Sequence, residues 1–234
     1  MLEGKNITKI YRNGSKLFTA LSNINFELNE GDHLAILGTN GSGKTTLIKI
    51  ITQLTQPTIG KLYFQGKRLN PDHRGNFGVM LGSTLIYYRL TVLQNLQYYA
   101  SLYNVSNPNA RIDELLRQLG ITDKKDNYVE SLSEGQKHKV AFARAILHSP
   151  KILILDEPTN GVDPISTDIL HWHIKKFPTL VFSSHNLYEV MELANKLLVI
   201  NQGHMAYFGD IKAFKKSKDA NRAKDELMRV YDEK

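Results

Sequence analysis

The residues best suited to chemistry form one unbroken stretch: Gly38, Thr39, Asn40, Gly41, Ser42, Gly43, Lys44, Thr45 and Thr46. It fits the pattern G-x-x-x-x-G-K-S/T of phosphate-binding loops. Glycines let the backbone wrap tightly and turn N–H groups toward an anion. A helix beginning at the end of the loop adds partial positive charge at the same point. Lys44 can reach the β- and γ-phosphates of a nucleotide, and the Thr45 hydroxyl can ligate Mg²⁺. A second group is the acid pair Asp156-Glu157, which closes the apolar run Lys151-Ile152-Leu153-Ile154-Leu155. Asp156 is suited to hold Mg²⁺ through water. Glu157 is suited to accept a proton from an attacking water. His185, after Ser183-Ser184, is the third group.

Such groups act together only if the chain positions them. His33-Leu34-Ala35-Ile36-Leu37 is an apolar run of strand length before the loop, and Leu47-Ile48-Lys49-Ile50-Ile51 continues it as a helix. The runs 151–155, 179–184 and 196–200 are strands of the buried type. A helix between Asp163 and Phe177 links the first two in βαβ fashion. The expected fold is α/β, a P-loop NTPase core with a mostly parallel sheet. Ligands of open α/β sheets bind beyond the carboxyl ends of the strands. The phosphate loop, Asp156-Glu157 and His185 each follow a strand directly and are expected at one edge.

The remainder frames that core. Ile7–Tyr11 and Ile24–Leu28 alternate as half-buried strands do, and Asn13-Gly14-Ser15 is a turn signal. An N-terminal antiparallel β subdomain follows, with further strands at 60–66 and 77–81. From Leu90 to Gly120 the pattern is helical. Thr91 is an N-cap, Asn107-Pro108-Asn109 is a break, and Ile112, Leu115, Leu116 and Leu119 form a second stripe. Residues 83–135 are read as an inserted α-helical subdomain within one domain spanning 1–234. Tyr87, Tyr88, Tyr98, Tyr99 and Tyr103 are read as packing between helices or against a partner. Ser133-Glu134-Gly135-Gln136 precedes a strong helix to Leu147. His171 and His173, two apart on a helix, face different directions and are read as non-ligands.

Composition narrows the class. Of 234 residues, 41% are hydrophobic and 23% charged, ordinary for a globular protein. No apolar run approaches the roughly 18–20 residues of a membrane span. Cysteine is absent, which excludes disulfides and thiolate metal sites. The first residues lack the apolar core of a signal peptide, and a cytoplasmic location is expected. The net charge of +7 is mildly basic but mostly scattered; the cluster Lys212–Lys218 reads as a solvated helix face. No nucleic-acid partner is expected. The segment 219–234 is read as charged, helical and peripheral.

Taken together and in order, these motifs resemble the nucleotide-binding subunit of an ABC transporter. The phosphate loop corresponds to the family's Walker A. Leu132-Ser133-Glu134-Gly135-Gln136 resembles its signature, and Ile152 to Thr159 its Walker B. Asn160-Gly161-Val162-Asp163 matches the loop that follows, and Ser184-His185 matches the switch histidine. The resemblance covers about Lys5 to Gly209. It implies a head-to-tail dimer, of two copies or of paired ATPase subunits, with ATP between them. Ser133, Gly135 and Gln136 would touch the γ-phosphate of the partner's ATP. His185 would contact the γ-phosphate and steady the attacking water, and Tyr11 would stack on adenine. It further implies cofactors ATP and Mg²⁺ and a separate integral membrane permease, with the chain peripheral at the inner face of the membrane.

Three departures stand out. Gly82 occupies the position where the family places a metal-binding glutamine. Glu134 replaces a signature glycine. The stretch Asp163–His185 is several residues shorter than the family's. Retention of Lys44, Glu157 and His185 argues against a slow regulatory half-site. The length argues against a ribosome- or DNA-acting ATPase with two cassettes, and Ser133–Gln136 against a plain P-loop kinase. The stretch Leu85–Thr91 resembles that of exporters of drugs, peptides, lipids or glycans, so the expected activity is ATP hydrolysis coupled to export.

Overall fold

The structure is a computed structural model that describes residues 1–81 and 85–216. Gly82, Lys218 and the charged segment from Asp219 lie outside the described residues. In chain order the elements are β1 (Leu2–Asn13), β2 (Lys16–Leu28), β3 (His33–Leu37), α1 (Lys44–Ile51), β4 (Ile59–Phe64), β5 (Lys67–Arg68) and β6 (Phe77–Leu81). They continue as α2 (Val92–Leu102), α3 (Pro108–Gln118), α4 (Glu134–Ile146), β7 (Ile152–Asp156), α5 (Pro164–Lys175) and β8 (Leu180–Ser184). Last come α6 (Leu187–Leu193), β9 (Lys196–Asn201), β10 (His204–Asp210) and α7 (Ile211–Lys216). Three short 3-10 turns intervene. The chain divides into two compact units, one of residues 1–74 with 179 onward, the other of residues 75–178.

In the first unit β1 and β2 form a long antiparallel hairpin in which Asn13 faces Lys16 across Gly14-Ser15. Gly14 takes φ +59°, the left-handed conformation that a tight hairpin turn needs. Both strands run far beyond the alternating segments visible in sequence, because residues 11–19 are exposed and carry no burial pattern. From the outer edge the order is β5, β4, β1, β2, β10, β9, β3, β8. The first four strands are antiparallel to one another, whereas β3 is parallel to both β9 and β8. Leu34, Ala35, Ile36 and Leu37 are fully buried, as a strand covered on both faces must be. Burying each large apolar side chain contributes about 1.5–3 kcal/mol. Leu47, Ile48 and Ile51 of α1 join that core.

In the second unit β6 and β7 pair in parallel, Leu81 opposite Asp156. Helix α4 is buried over most of its length. Gly78 makes room for it: a Cβ there would lie 2.3 Å from the Ala145 carbonyl oxygen and 2.6 Å from Pro150. Arg144 donates from α4 to the Val79 carbonyl oxygen and lies over the Tyr99 ring. Thr91 caps α2 with Gln94 in a reciprocal box, as the sequence pattern predicts. Of the five tyrosines, only Tyr99 is not exposed, and ring contacts link several of them. Tyr87, Tyr98 and Tyr99 contact one another, Tyr99 donates to the Leu85 carbonyl oxygen at 2.8 Å, and Tyr103 stacks on His148.

Candidate functional site

In the first unit the phosphate loop leaves β3 at Gly38 and enters α1 at Lys44. Two of its glycines are required by space. A Cβ on Gly38 would lie 2.4 Å from the Ile200 carbonyl oxygen, and one on Gly43 would lie 2.6 Å from that of Ala20. Gly43 also takes φ +114° at the N-cap of α1. The first turn of α1 has no side-chain cap and no acidic residue. Its N–H groups and the helix dipole are thereby presented to an external anion. Lys44 is buried, and its ammonium donates to the carbonyl oxygens of Gly38 and Thr39 at 2.9 and 3.1 Å. Thr45 is exposed on the same turn, Thr46 half-buried, and Asn40 and Gly41 exposed at the tip. The set fits a nucleotide polyphosphate, and the Thr45 hydroxyl is an oxygen of the kind that a hard cation takes.

Strand register brings His185 to this loop. Leu37 pairs with Ser184, so Gly38 and His185 follow adjacent strand ends. Ser184 accepts a 2.9 Å bond from the Asn186 N–H, and the Asn186 side chain caps α6 in turn, which fixes the turn that carries the imidazole. Tyr11 lies on the exposed hairpin, opposite Phe18, with the Lys9 ammonium 5.0 Å from its ring centre. The same hairpin reaches the loop through Ala20, the residue that abuts Gly43.

The second unit holds the other predicted groups. Ser133 caps α4: its hydroxyl accepts from the Gln136 N–H, and the Gln136 side chain accepts from the Ser133 N–H. That reciprocal box occupies both side chains. The N–H groups of Glu134 and Gly135 are then the ones the first turn can offer an anion. Glu134 pairs with Lys137 at 2.8 Å, which holds its carboxyl below the usual range. The neighbouring ammonium neutralises the acid that stands in place of a glycine. Gly135 is packed so closely that a Cβ would lie 2.4 Å from Asp163 Oδ2 and 2.6 Å from Ser166 Oγ. Asp163 caps α5 by accepting from the Ser166 N–H at 2.9 Å, which also lowers its carboxyl pKa. The signature turn and the loop after β7 are therefore in direct contact within this unit.

Asp156 ends β7, half-buried, and Glu157 follows with φ +48°. The Asn160 amide donates to Glu157 Oε2 at 3.1 Å. Sequence reasoning missed Asn160 as a partner of Glu157 and missed His138, which bonds the Pro158 carbonyl at 2.8 Å. Asn160 lies in the loop motif after the acid pair, but its local bond to Glu157 depends on the turn geometry, whereas the His138 bond is a tertiary contact between α4 and that loop. Among the described residues no group of three His, Cys, Asp or Glu side chains is arranged to hold a metal. His173 instead contacts the Gln118 carbonyl oxygen, and His171 is buried.

Comparison with known proteins adds concordant findings. Residues 21–160 match the family model described as ABC transporter. The ABC transporter ATP-binding protein NatA of Bacillus subtilis is 32% identical over 224 residues, 90% of this chain and 91% of that protein. The methionine import ATP-binding protein MetN of Corynebacterium diphtheriae is 32% identical over 225 residues, 90% of this chain but 66% of MetN. A solved dimeric ATP-binding cassette, in a post-hydrolysis state bound to ADP and Pi, superposes with a TM-score of 0.83 at 26% identity. That match covers 90% of this chain and 99% of the cassette.

Proposed function

The chain belongs to the ABC transporter family, as its ATP-binding, ATP-hydrolysing subunit, and from that premise we propose that it drives export through a separate membrane permease. The observation that carries the nucleotide assignment is the loop of the first unit: an uncapped helix N-terminus, two glycines with no room for a side chain, and a buried lysine aimed into the loop. The first-turn N–H groups and Lys44 bind the β- and γ-phosphates. Thr45 and Asp156 are the residues that would hold Mg²⁺. When bound, the ion neutralises phosphate charge. Glu157 takes the proton of the water that attacks the γ-phosphorus. His185 contacts the γ-phosphate and orients that water, and Tyr11 stacks on the base.

Two subunits assemble head to tail, and the first turn of α4 in each reads the γ-phosphate of its partner's ATP. No described helix is long and apolar enough to cross a membrane, and the passage is assigned to the permease. The chain acts at the inner face of the membrane, where that protein presents its cytoplasmic surface. The direction rests on the stretch Leu85–Thr91. The methionine importers among the relatives favour the opposite direction.

Glu157→Gln tests the reading. The amide cannot accept a proton, so hydrolysis is expected to fall about 10²–10⁴-fold while ATP binding persists. An ATP-dependent dimer should accumulate, measured by size-exclusion chromatography with light scattering. Near wild-type hydrolysis would remove Glu157 from the role. Copurification of wild type from membranes, then uptake assays in inside-out vesicles with the identified permease, decides the direction.

A further inference from the structure

We propose that His138 is a positioning residue for Glu157, a role that rests on Glu157 being the general base. Glu157 occupies an unusual backbone state. Its φ of +48° lies in the left-handed region, which a non-glycine residue adopts at a cost. The residue after it is Pro158, and a proline pushes its predecessor toward extended conformations. Glu157 thus departs from two local preferences at once, and such a state persists only where the surroundings over-determine it.

Three hydrogen bonds do so. The Asn160 N–H donates to the Glu157 carbonyl oxygen at 3.2 Å, closing the turn. The Asn160 amide donates to Glu157 Oε2 at 3.1 Å, aiming the carboxylate. Both belong to the turn itself and move with it. The third comes from outside. His138, buried on α4, donates from Nδ1 to the Pro158 carbonyl oxygen at 2.8 Å. Proline has no N–H, so this carbonyl is the only backbone polar group by which Pro158 can be held. The donor sits on a helix enclosed over most of its length, a rigid reference for the turn. Neutral histidine donates there as the Nδ1–H tautomer, and imidazolium donates equally.

His138 touches neither water nor phosphate in this role; it fixes the peptide that follows the base. Catalysis by a base is sensitive to placement, with 1 Å of misplacement costing up to about 10²-fold. Nucleotide affinity resides in the phosphate loop of the first unit. Loss of the bond should therefore lower kcat and leave KM for ATP unchanged.

The test is steady-state ATPase kinetics on the full chain. His138→Leu removes the donor, and His138→Asn shortens it beyond reach; each is expected to lower kcat about tenfold or more, with KM within about twofold. His138→Gln, whose amide reaches the same carbonyl, is expected to recover at least half of the wild-type kcat. In a Glu157→Gln background, His138→Leu should add no further loss, since the base it positions is already gone. Equal losses in the Leu, Asn and Gln variants would overturn the proposal, as would an unchanged kcat in Leu and Asn, or a full multiplicative loss in the Glu157→Gln background. Should Glu157→Gln alone hydrolyse ATP like wild type, the failure belongs to the assignment of the base.

Discussion

Lys44 folds its ammonium back onto the carbonyl oxygens of Gly38 and Thr39, so the loop itself sets the direction of its charge. Charge-assisted hydrogen bonds to charged groups are worth about 1.5–3 kcal/mol each. Lys44→Ala is expected to weaken ATP binding at least tenfold, and a calorimetric titration that shows unchanged affinity would refute the assignment. His148 offers a different test. Its Nε2 bonds the Phe77 carbonyl oxygen at 3.1 Å, and its Nδ1 is buried without a partner among the described residues. A proton on Nδ1 would be an unpaired donor in the core. Burial, with Arg144 nearby, therefore holds the imidazole below its ordinary pKa, against the opposing effect of the Phe77 bond. The unfolded chain binds that proton first, so stability is complete above about pH 6.5 and declines as pH falls toward the folded pKa. The drop in Tm between pH 7.5 and 5.5 should be smaller in His148→Gln than in wild type; equal drops would show that His148 is not the titrating group. His148 shows why sequence is silent here. Lys44 and Glu157 are legible because their chemistry demands those residue types at fixed spacing. His148 and His138 bond backbone carbonyls far away in sequence, and any pattern that names them exists only after folding.

Elements were legible where periodicity and chemistry agreed. The apolar runs that became β3, β7, β8 and β9 and the capped start of α2 needed no tertiary information. The arms of the β1/β2 hairpin and the strand β10 were not legible, because their exposed or mixed residues carry no alternation. Close packing was equally hidden. Gly78 reads in sequence as a weak point in an apolar strand, yet it is where β6 passes beneath α4. Gly78→Ala forces a methyl group against the Ala145 carbonyl, and overpacking of this kind costs about 1–3 kcal/mol. For a chain of this size the expected fall in Tm is several degrees, about 2–4 °C per kcal/mol. A melting temperature within one degree of wild type by calorimetry, flagged against about 1 kcal/mol as the smallest cost, would mean that β6 and α4 are not packed this tightly. Gly135 is confined in the same way by Asp163 and Ser166, so its lack of a side chain serves packing as well as access to the first turn of α4.

Across the whole chain, the strand that bears the phosphate loop is enclosed by its latest neighbours. β3 comes from the first forty residues, but both of its partners, β8 and β9, lie beyond residue 179, after the whole intervening second unit. A ribosome delivers the chain in the opposite sense to the one this sheet requires. While the middle of the protein is being synthesised, the apolar residues Leu34 to Leu37 have no strand to pair with. Contacts so distant in sequence also close slowly. At about 5–20 residues per second, that exposure lasts on the order of ten seconds, an interval in which chaperones compete with aggregation. Nascent chains stalled with fewer than about 180 residues outside the ribosome should therefore leave the phosphate loop open to proteolysis and unable to retain ATP. Chains released past β9 should acquire protection in a single step. Protection already present in the shorter chains would mean that β3 folds without its partners. Nucleotide binding thus waits on strands made long after the loop that performs it.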